Sequence, residues 1–353
     1  MNGRERVLTA LRGATPDRVP RALSFGRVDL ERLLPPDEPR ESFVDVDFIL
    51  FPDRPQDQAL RELVKAHRVD TRLGTPQQAA NYAAWDYHPE IPERSSPLER
   101  VGSLQEILDF PFPEDAERPD IAEMARQVDE IHSRGLAAGS TLPHLGGELF
   151  EPAWRLRGLK ALLLDFTLRP EWARVLLRRL GEMAQAKARA VAEAGADVLS
   201  LGDDVGMPGR MIFSPEHWRE FIRPQMAAIV AAAKSVKPDI HVIYHSDGHY
   251  EPIVGDLIEV GISAINPLQP EHMDATRIRR RFGTRIAFWG TVGSHNSFAL
   301  ATPEAIREQV RLRVETLGRA GLVLCPAYGV GWPDTIPLAN IRAFLDAAEE
   351  FGG

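Results

Sequence analysis

From residue 119 onward, short apolar runs alternate with helical stretches at least six times. The runs include Asp197-Val-Leu-Ser-Leu201, Ile240-His-Val-Ile-Tyr-His245, Ile262-Ser-Ala-Ile265, Arg285-Ile-Ala-Phe-Trp289 and Leu322-Val-Leu-Cys325. They read apolar throughout, the pattern of strands buried on both faces. Strands of that kind separated by helices build a parallel sheet covered by helices. The helices carry signals of their own. Residues 170–194 set Trp172, Leu176, Leu180, Met183 and Val191 at helical spacing. Ser214-Pro-Glu216 and Thr302-Pro-Glu304 read as helix starts, with a hydroxyl N-cap, proline in the first turn and a glutamate favourable to the dipole.

Periodicity does not separate a closed barrel from an open sheet; the polar residues do. Asp203, Asp204, His245, Asp247, Asn266, Gln269 and Thr291 each sit just after a strand, and the strands differ. A barrel brings all such ends to one mouth. An open sheet gathers function at one switch point, usually with a glycine-rich phosphate loop. No G-x-G-x-x-G or Walker sequence stands in such a place. The expectation is a single α/β domain over 1–353, a (β/α)8 TIM barrel with regular repeats over 119–353. Residues 1–118 form an N-terminal segment. It opens with a short helix over 3–13, broken at Asp17-Arg-Val-Pro20. From 18 to 118 the chain is irregular and proline-rich, with short apolar runs such as Phe48-Ile-Leu-Phe51 between turns, and reads as a first strand plus long loops covering one end of the fold.

Composition removes several function classes. A net charge of −9 disfavours a general nucleic-acid or anionic-membrane surface. It is compatible with a homo-oligomer. Cys325 is the one cysteine, so no intramolecular disulfide forms. No long uncharged apolar run exists, and the charged N-terminus lacks a signal-peptide core. A soluble, cytoplasmic protein is expected.

Strand ends supply the candidate chemistry. In extended chain, residues two apart point the same way, so His245 and Asp247 face one side. The plain alternative is that Asp247 only orients His245. Neighbours point oppositely, so one of Asp203 and Asp204 faces the mouth. A carboxylate beside His245 serves as acid or base, because burial and like charge raise its pKa; the alternative role is a loop cap. Asp203, Asp204 and His245 are the catalytic candidates. Glu148 and Glu151 precede a helix start and either cap it or contact substrate. Asn266, Gln269, Trp289 and Tyr328 are further substrate-binding candidates, although aromatics such as Trp289, Tyr328 and Trp332 also suit a core. His144 is a weaker candidate.

The same residues carry a likeness. The relevant pieces are Arg4-Glu-Arg-Val-Leu8 with Asp17-Arg-Val-Pro20, Phe150-Glu151 with Leu156-Arg-Gly158, and Gly195-Ala-Asp197 with Asp203-Asp204. Ser214-Pro-Glu-His-Trp218, His245-Ser-Asp-Gly248, Asn266-Pro-Leu-Gln-Pro270 and the tail Pro333…Pro337…Asn340 follow in order. As an ordered set over nearly the whole chain, they resemble the uroporphyrinogen decarboxylase superfamily. The resemblance implies a (β/α)8 barrel with a deep mouth at the C-terminal strand ends, and it covers two chemistries. True decarboxylases carry an Arg-Gln-Ala-Gly-Arg loop that binds substrate carboxylates. Here the matching stretch is Arg21-Ala-Leu-Ser-Phe-Gly-Arg27, which lacks that loop. The other branch, the corrinoid-dependent methyltransferases, moves methyl groups between a small donor or thiol and a corrinoid protein, with zinc as Lewis acid. Its zinc motif is His-x-Cys with a distant second Cys. His245 fits the histidine, Asp247 stands in the first Cys position, and Cys325 lies three residues before the place of the second, near Tyr328.

His245, Asp247 and Cys325 are therefore the candidate metal set, leaving an open position for substrate. A carboxylate in place of a thiolate makes the ion harder, which suits a methoxy oxygen better than a thiol. The alternative leaves Cys325 as a buried apolar residue. The expected function is metal-assisted transfer of a methyl group from a small methylated substrate, such as a methoxyaromatic, to a corrinoid protein. The alternatives are a metal-free decarboxylase of another substrate and a non-catalytic binding protein.

Overall fold

The computed structural model describes residues 1–26, 39–52, 58–59, 96–112, 119–142, 147–293, 298, 300–327 and 336–353. Among these residues the main sheet has seven parallel strands in chain order: β1 (Val46–Phe48), β2 (Ala137–Thr141), β3 (Val198–Gly202), β4 (His241–His245), β5 (Ala264–Asn266), β6 (Ala287–Trp289) and β7 (Leu322–Val323). Strand alternation splits their apolar residues between two cores. Phe48, Ala137, Val198, Ile243, Ala264, Ala287, Trp289, Val323 and Cys325 point inward and pack on one another. Leu199, Leu201, Val242, Tyr244, Ile265, Phe288 and Leu322 point outward into the larger core under the helices. Burial on both faces is why the strands read apolar throughout. At Gly139 a side chain would meet the Phe48 ring at 2.5 Å, so the narrow interior requires glycine there.

The helices begin and end as local chemistry directs. The Pro170–Glu193 helix has its proline in the first turn, and Ser214 and Thr302 each accept a backbone N–H from three residues on. The Gly3–Leu11 helix starts in a reciprocal Asn2–Glu5 capping box. Its Val7, Ala10 and Leu11 join the inward core, and Arg4 N–H donates to Gly135 O just before β2. This helix therefore sits at the start of the strands, away from their C-terminal ends.

One segment differs from the sequence reading. Residues after Pro20 are expected to be irregular, yet Pro20–Ala22 is hydrogen-bonded to both edges of the sheet. Ala22 N–H donates to Leu324 O at 2.8 Å and Leu324 N–H to Pro20 O at 2.9 Å, while Asp45 N–H donates to Arg21 O at 2.9 Å. Buried Asp45 anchors the segment by accepting from Arg21 N–H at 2.8 Å and pairing with Arg6 and Arg18. The stretch is too short for periodicity to reveal, because its place is fixed by partners far along the chain. Among the described residues, no helix is long and apolar enough to cross a membrane.

Candidate active site

The register of β3, β4 and β5 sets Gly202 beside His245 and His245 beside Asn266. Asn266 is fully buried, and its Nδ2 donates to the Trp289 carbonyl at 2.9 Å. Its Oδ1 is therefore turned to His245, 2.7 Å from Nδ1. That oxygen can only accept, so the network assigns the ring proton to Nδ1 and leaves the Nε2 lone pair directed outward. Nε2 lies 3.7 Å from Asp204 Oδ1. Asp204 Oδ1 accepts the Asp247 N–H at 2.7 Å. Gln269 then fixes Asp247, donating to its Oδ1 at 3.0 Å and accepting from Gly248 N–H at 2.7 Å. Gly248 has φ +75°, and a side chain on it would meet the backbone of Gly206 and Met207 at 2.6 Å. The turn thus needs glycine to bring Asp247 against Asp204. One ligand atom from each of Asp204, His245 and Asp247 lies within 4.8 Å of the others. Phe25 stacks on the His245 ring, with centroids 4.1 Å apart and planes at 15°.

A layer of buried acids stands behind Asp204. Asp203 accepts N–H groups from Leu149 and Glu151 at 3.0 Å each and so caps the Phe150–Arg157 helix. Burial lifts its pKa to about 7 against those bonds, helped by the charge of Asp204. Burial, then Asp204, lifts Glu151 to about 8, with Arg155 opposing. Burial and Asp203 push Glu148 well above the carboxylate range. Its Oε2 accepts the Gly202 N–H at 2.6 Å. These acids favour the protonated form near neutral pH.

The structure gathers Asp204, His245 and Asp247 at one point. Asn266 and Gln269, expected to touch substrate, hold His245 and Asp247 from behind instead. Asp203, expected near the chemistry, is fully buried and turned to the helix start, because its neighbour Asp204 takes the outward direction. Glu148, also expected at the substrate, is buried behind Gly202. Trp289 lies wholly within the inward core and donates Nε1 to Ser24 O at 3.1 Å. Cys325 does not join the metal-ligand cluster. Two-residue alternation from Val323 carries it into the inward core beside Trp289, and burial pushes its thiol well above the ordinary range. Thr291 is likewise fully buried. Tyr328, Trp332 and His144 lie outside the described residues. Sequence reasoning missed Phe25. The available signal was its position in Arg21–Arg27, the stretch matched to the decarboxylases' substrate loop.

Comparison with known proteins bears on this geometry. The sequence model of the uroporphyrinogen decarboxylase (URO-D) family matches residues 154–351, more than half of the chain. The methylcobamide:CoM methyltransferase MtaA of Methanosarcina barkeri is 29% identical over 171 residues, 48% of this chain and 46% of that protein. The uroporphyrinogen decarboxylase of Chlorobaculum tepidum is 25% identical over 185 residues, 51% of this chain and 50% of that protein. The chain thus spans about half the length of the curated relatives it matches. A methyltransferase from Methanosarcina mazei shares the fold over 100% of both chains, with a TM-score of 0.68 at 20% identity.

Proposed function

The chain belongs to the uroporphyrinogen decarboxylase family, and on that premise we propose that it transfers a methyl group from a small oxygen-methylated substrate to a corrinoid carried by a partner protein. Asp204, His245 and Asp247 hold a divalent metal for that reaction. We read Pro20–Ala22 as the eighth strand of a (β/α)8 barrel, which makes the ends of β3 and β4 part of one mouth. The observation that carries the reading is the Asp204–His245–Asp247 cluster, with Nε2 of His245 freed by the Asn266 bond at 2.7 Å.

The donor set fits zinc and also harder divalent ions, since one imidazole and two carboxylates contain no thiolate. An ion bound there supplies a Lewis acid for the oxygen that loses its methyl group. The chain's own residues do the rest. Asn266 and Gln269 keep His245 Nε2 and the Asp247 carboxylate converged, the outer contacts that hold a metal site's geometry. Glu151 sits behind Asp204 with its Oε2 3.3 Å from the Asp204 N–H, so the outward carboxylate is backed by an acid that favours its proton. The mouth groups described next to His245 are acids and amides. A porphyrinogen with many carboxylates calls for cations, and the Arg-Gln-Ala-Gly-Arg loop of the decarboxylases is missing from the matching stretch Arg21–Arg27. That lack favours methyl transfer over decarboxylation. The absence of a thiolate pair likewise favours oxygen over thiol substrates.

The test is elemental analysis of protein purified without chelator, followed by a cob(I)alamin absorbance assay with methoxyaromatics. Bound metal, lost in His245→Ala, and corrinoid-dependent turnover are expected. Carbon dioxide release from a carboxylated ring without corrinoid would refute the reading and support decarboxylation.

A further inference from the structure

We propose that Phe25 is a positioning residue for His245, holding the imidazole plane so that Nε2 points at the carboxylates of Asp204 and Asp247. The inference rests on the metal-site reading above and extends it to a residue that contributes no ligand atom.

Phe25 is held where it is by buried donors. Ser200 points into the barrel from β3 and is 3% exposed; its hydroxyl donates to Phe25 O at 2.8 Å. Trp289 points inward from β6 and is fully buried; its Nε1 donates to Ser24 O at 3.1 Å. A hydroxyl and an indole N–H buried without acceptors cost stability, so successive carbonyls at 24 and 25 answer needs set by two separate strands. Below them, Ala22 is tied to Leu324. The chain is therefore fixed before, at and across the barrel from Phe25, and the phenyl ring packs on the inward core.

From that support the ring lies against the imidazole face, 4.1 Å away and tilted by 15°. The Asn266 bond alone fixes one atom of the imidazole and leaves the ring free to rock about it. A flat neighbour blocks that motion. Together the two contacts define both the protonated nitrogen and the ring plane.

The experiment compares wild type, Phe25→Ala, Phe25→Leu and Phe25→Tyr. Cobalt(II) is the probe, read by its visible spectrum and by competition with a chromophoric chelator. NMR of the metal-free protein reads ring-current shifts of the His245 imidazole protons. We expect Phe25→Ala to bind cobalt(II) about 2- to 10-fold more weakly, the range of one aromatic stacking contact. Its cobalt bands should change, and the His245 proton shifts should move towards random-coil positions. Phe25→Tyr should restore all three readouts. Phe25→Leu, which keeps apolar volume without a flat face, should restore folding and leave affinity and shifts altered. Unchanged cobalt(II) affinity and spectrum in folded Phe25→Ala or Phe25→Leu would overturn the positioning role. Wild-type protein that binds no cobalt(II) while its imidazole shows the shifts would overturn the metal-site reading, and the role proposed for Phe25 in ligand geometry with it.

Discussion

Asn266 is the side chain whose replacement separates holding the fold from holding the site. Its amide is fully buried and bonds in two directions, donating to the Trp289 carbonyl at 2.9 Å and accepting from His245 Nδ1 at 2.7 Å. In Asn266→Ala the buried Trp289 carbonyl and the part-buried His245 ring nitrogen both lose their bond. Each buried group left unsatisfied costs about 1–3 kcal/mol, so the variant should lose about 2–4 kcal/mol of stability. That is a large share of the 5–15 kcal/mol typical of a domain, and still tolerable. The proton on His245 also loses its assignment to Nδ1. Removing such an outer contact typically weakens metal binding about 10- to 100-fold. Asn266→Asp discriminates between the two effects. Its carboxylate still accepts from Nδ1–H, more strongly than an amide, but cannot donate to the Trp289 carbonyl. Stability should fall in both variants, while metal affinity falls only in Asn266→Ala. Urea unfolding of metal-free protein gives the first quantity and zinc competition with a chromophoric chelator the second. Equal affinity loss in the two variants, or none in Asn266→Ala, would refute the assignment of the His245 proton.

Other outcomes follow from the same contacts. Cys325→Ala should leave metal content unchanged and cost about 1–2 kcal/mol in urea unfolding, the scale of a small core truncation. A thiol reagent should label wild-type protein only as it unfolds. Asp203→Ala should cost at least about 2 kcal/mol, because it strips the cap from the Phe150–Arg157 helix and leaves buried N–H groups without an acceptor. Stability should also fall as pH rises. The pKa values of Asp203 and Glu151 are lifted to about 7 and about 8 in the folded protein, above those of unfolded chain. Between those limits the native state holds protons that the unfolded state has released. Their contribution is therefore complete below about pH 4 and is lost as pH climbs through 7 and 8. Unfolding midpoints in urea from pH 5 to 8.5 test this. A midpoint that climbs over that range, or a slope unaltered by Glu151→Gln, would count against it.

The regular half of the chain is legible because its rules are local. The apolar run before His245 specifies β4 and its spacing sends His245 inward, while Ser214 and Thr302 announce their helices without help from the rest of the fold. The inward direction of Cys325 followed the same two-residue alternation, but its depth did not. Whether an inward residue lines the mouth or the core depends on how far up its strand it sits, and that is set by neighbouring strands. Asn266 shows the same limit. Its amide reads as a ligand for substrate until the register puts His245 beside it. Phe25 and Pro20–Ala22 are the least legible, since neither belongs to a periodic element. Their positions answer to Asp45, Ser200, Trp289 and Leu324, which are remote in sequence.

The lacing of Pro20–Ala22 between Leu324 and Asp45 sets an order on assembly. During synthesis the first strand and the helix Gly3–Leu11 leave the ribosome long before Leu324 exists, so one edge of the sheet must wait for nearly the whole chain. The contact joins residues about three hundred positions apart, a separation that slows folding more than it lowers stability. Phe25 hangs from the same segment, three residues beyond Ala22. A nascent or truncated chain that stops short of Leu324 therefore still lacks the seam, even where Ser200 and Trp289 already hold the backbone at Ser24 and Phe25. The Pro20–Ala22 seam is completed only with the last strand, after the other repeats have accumulated.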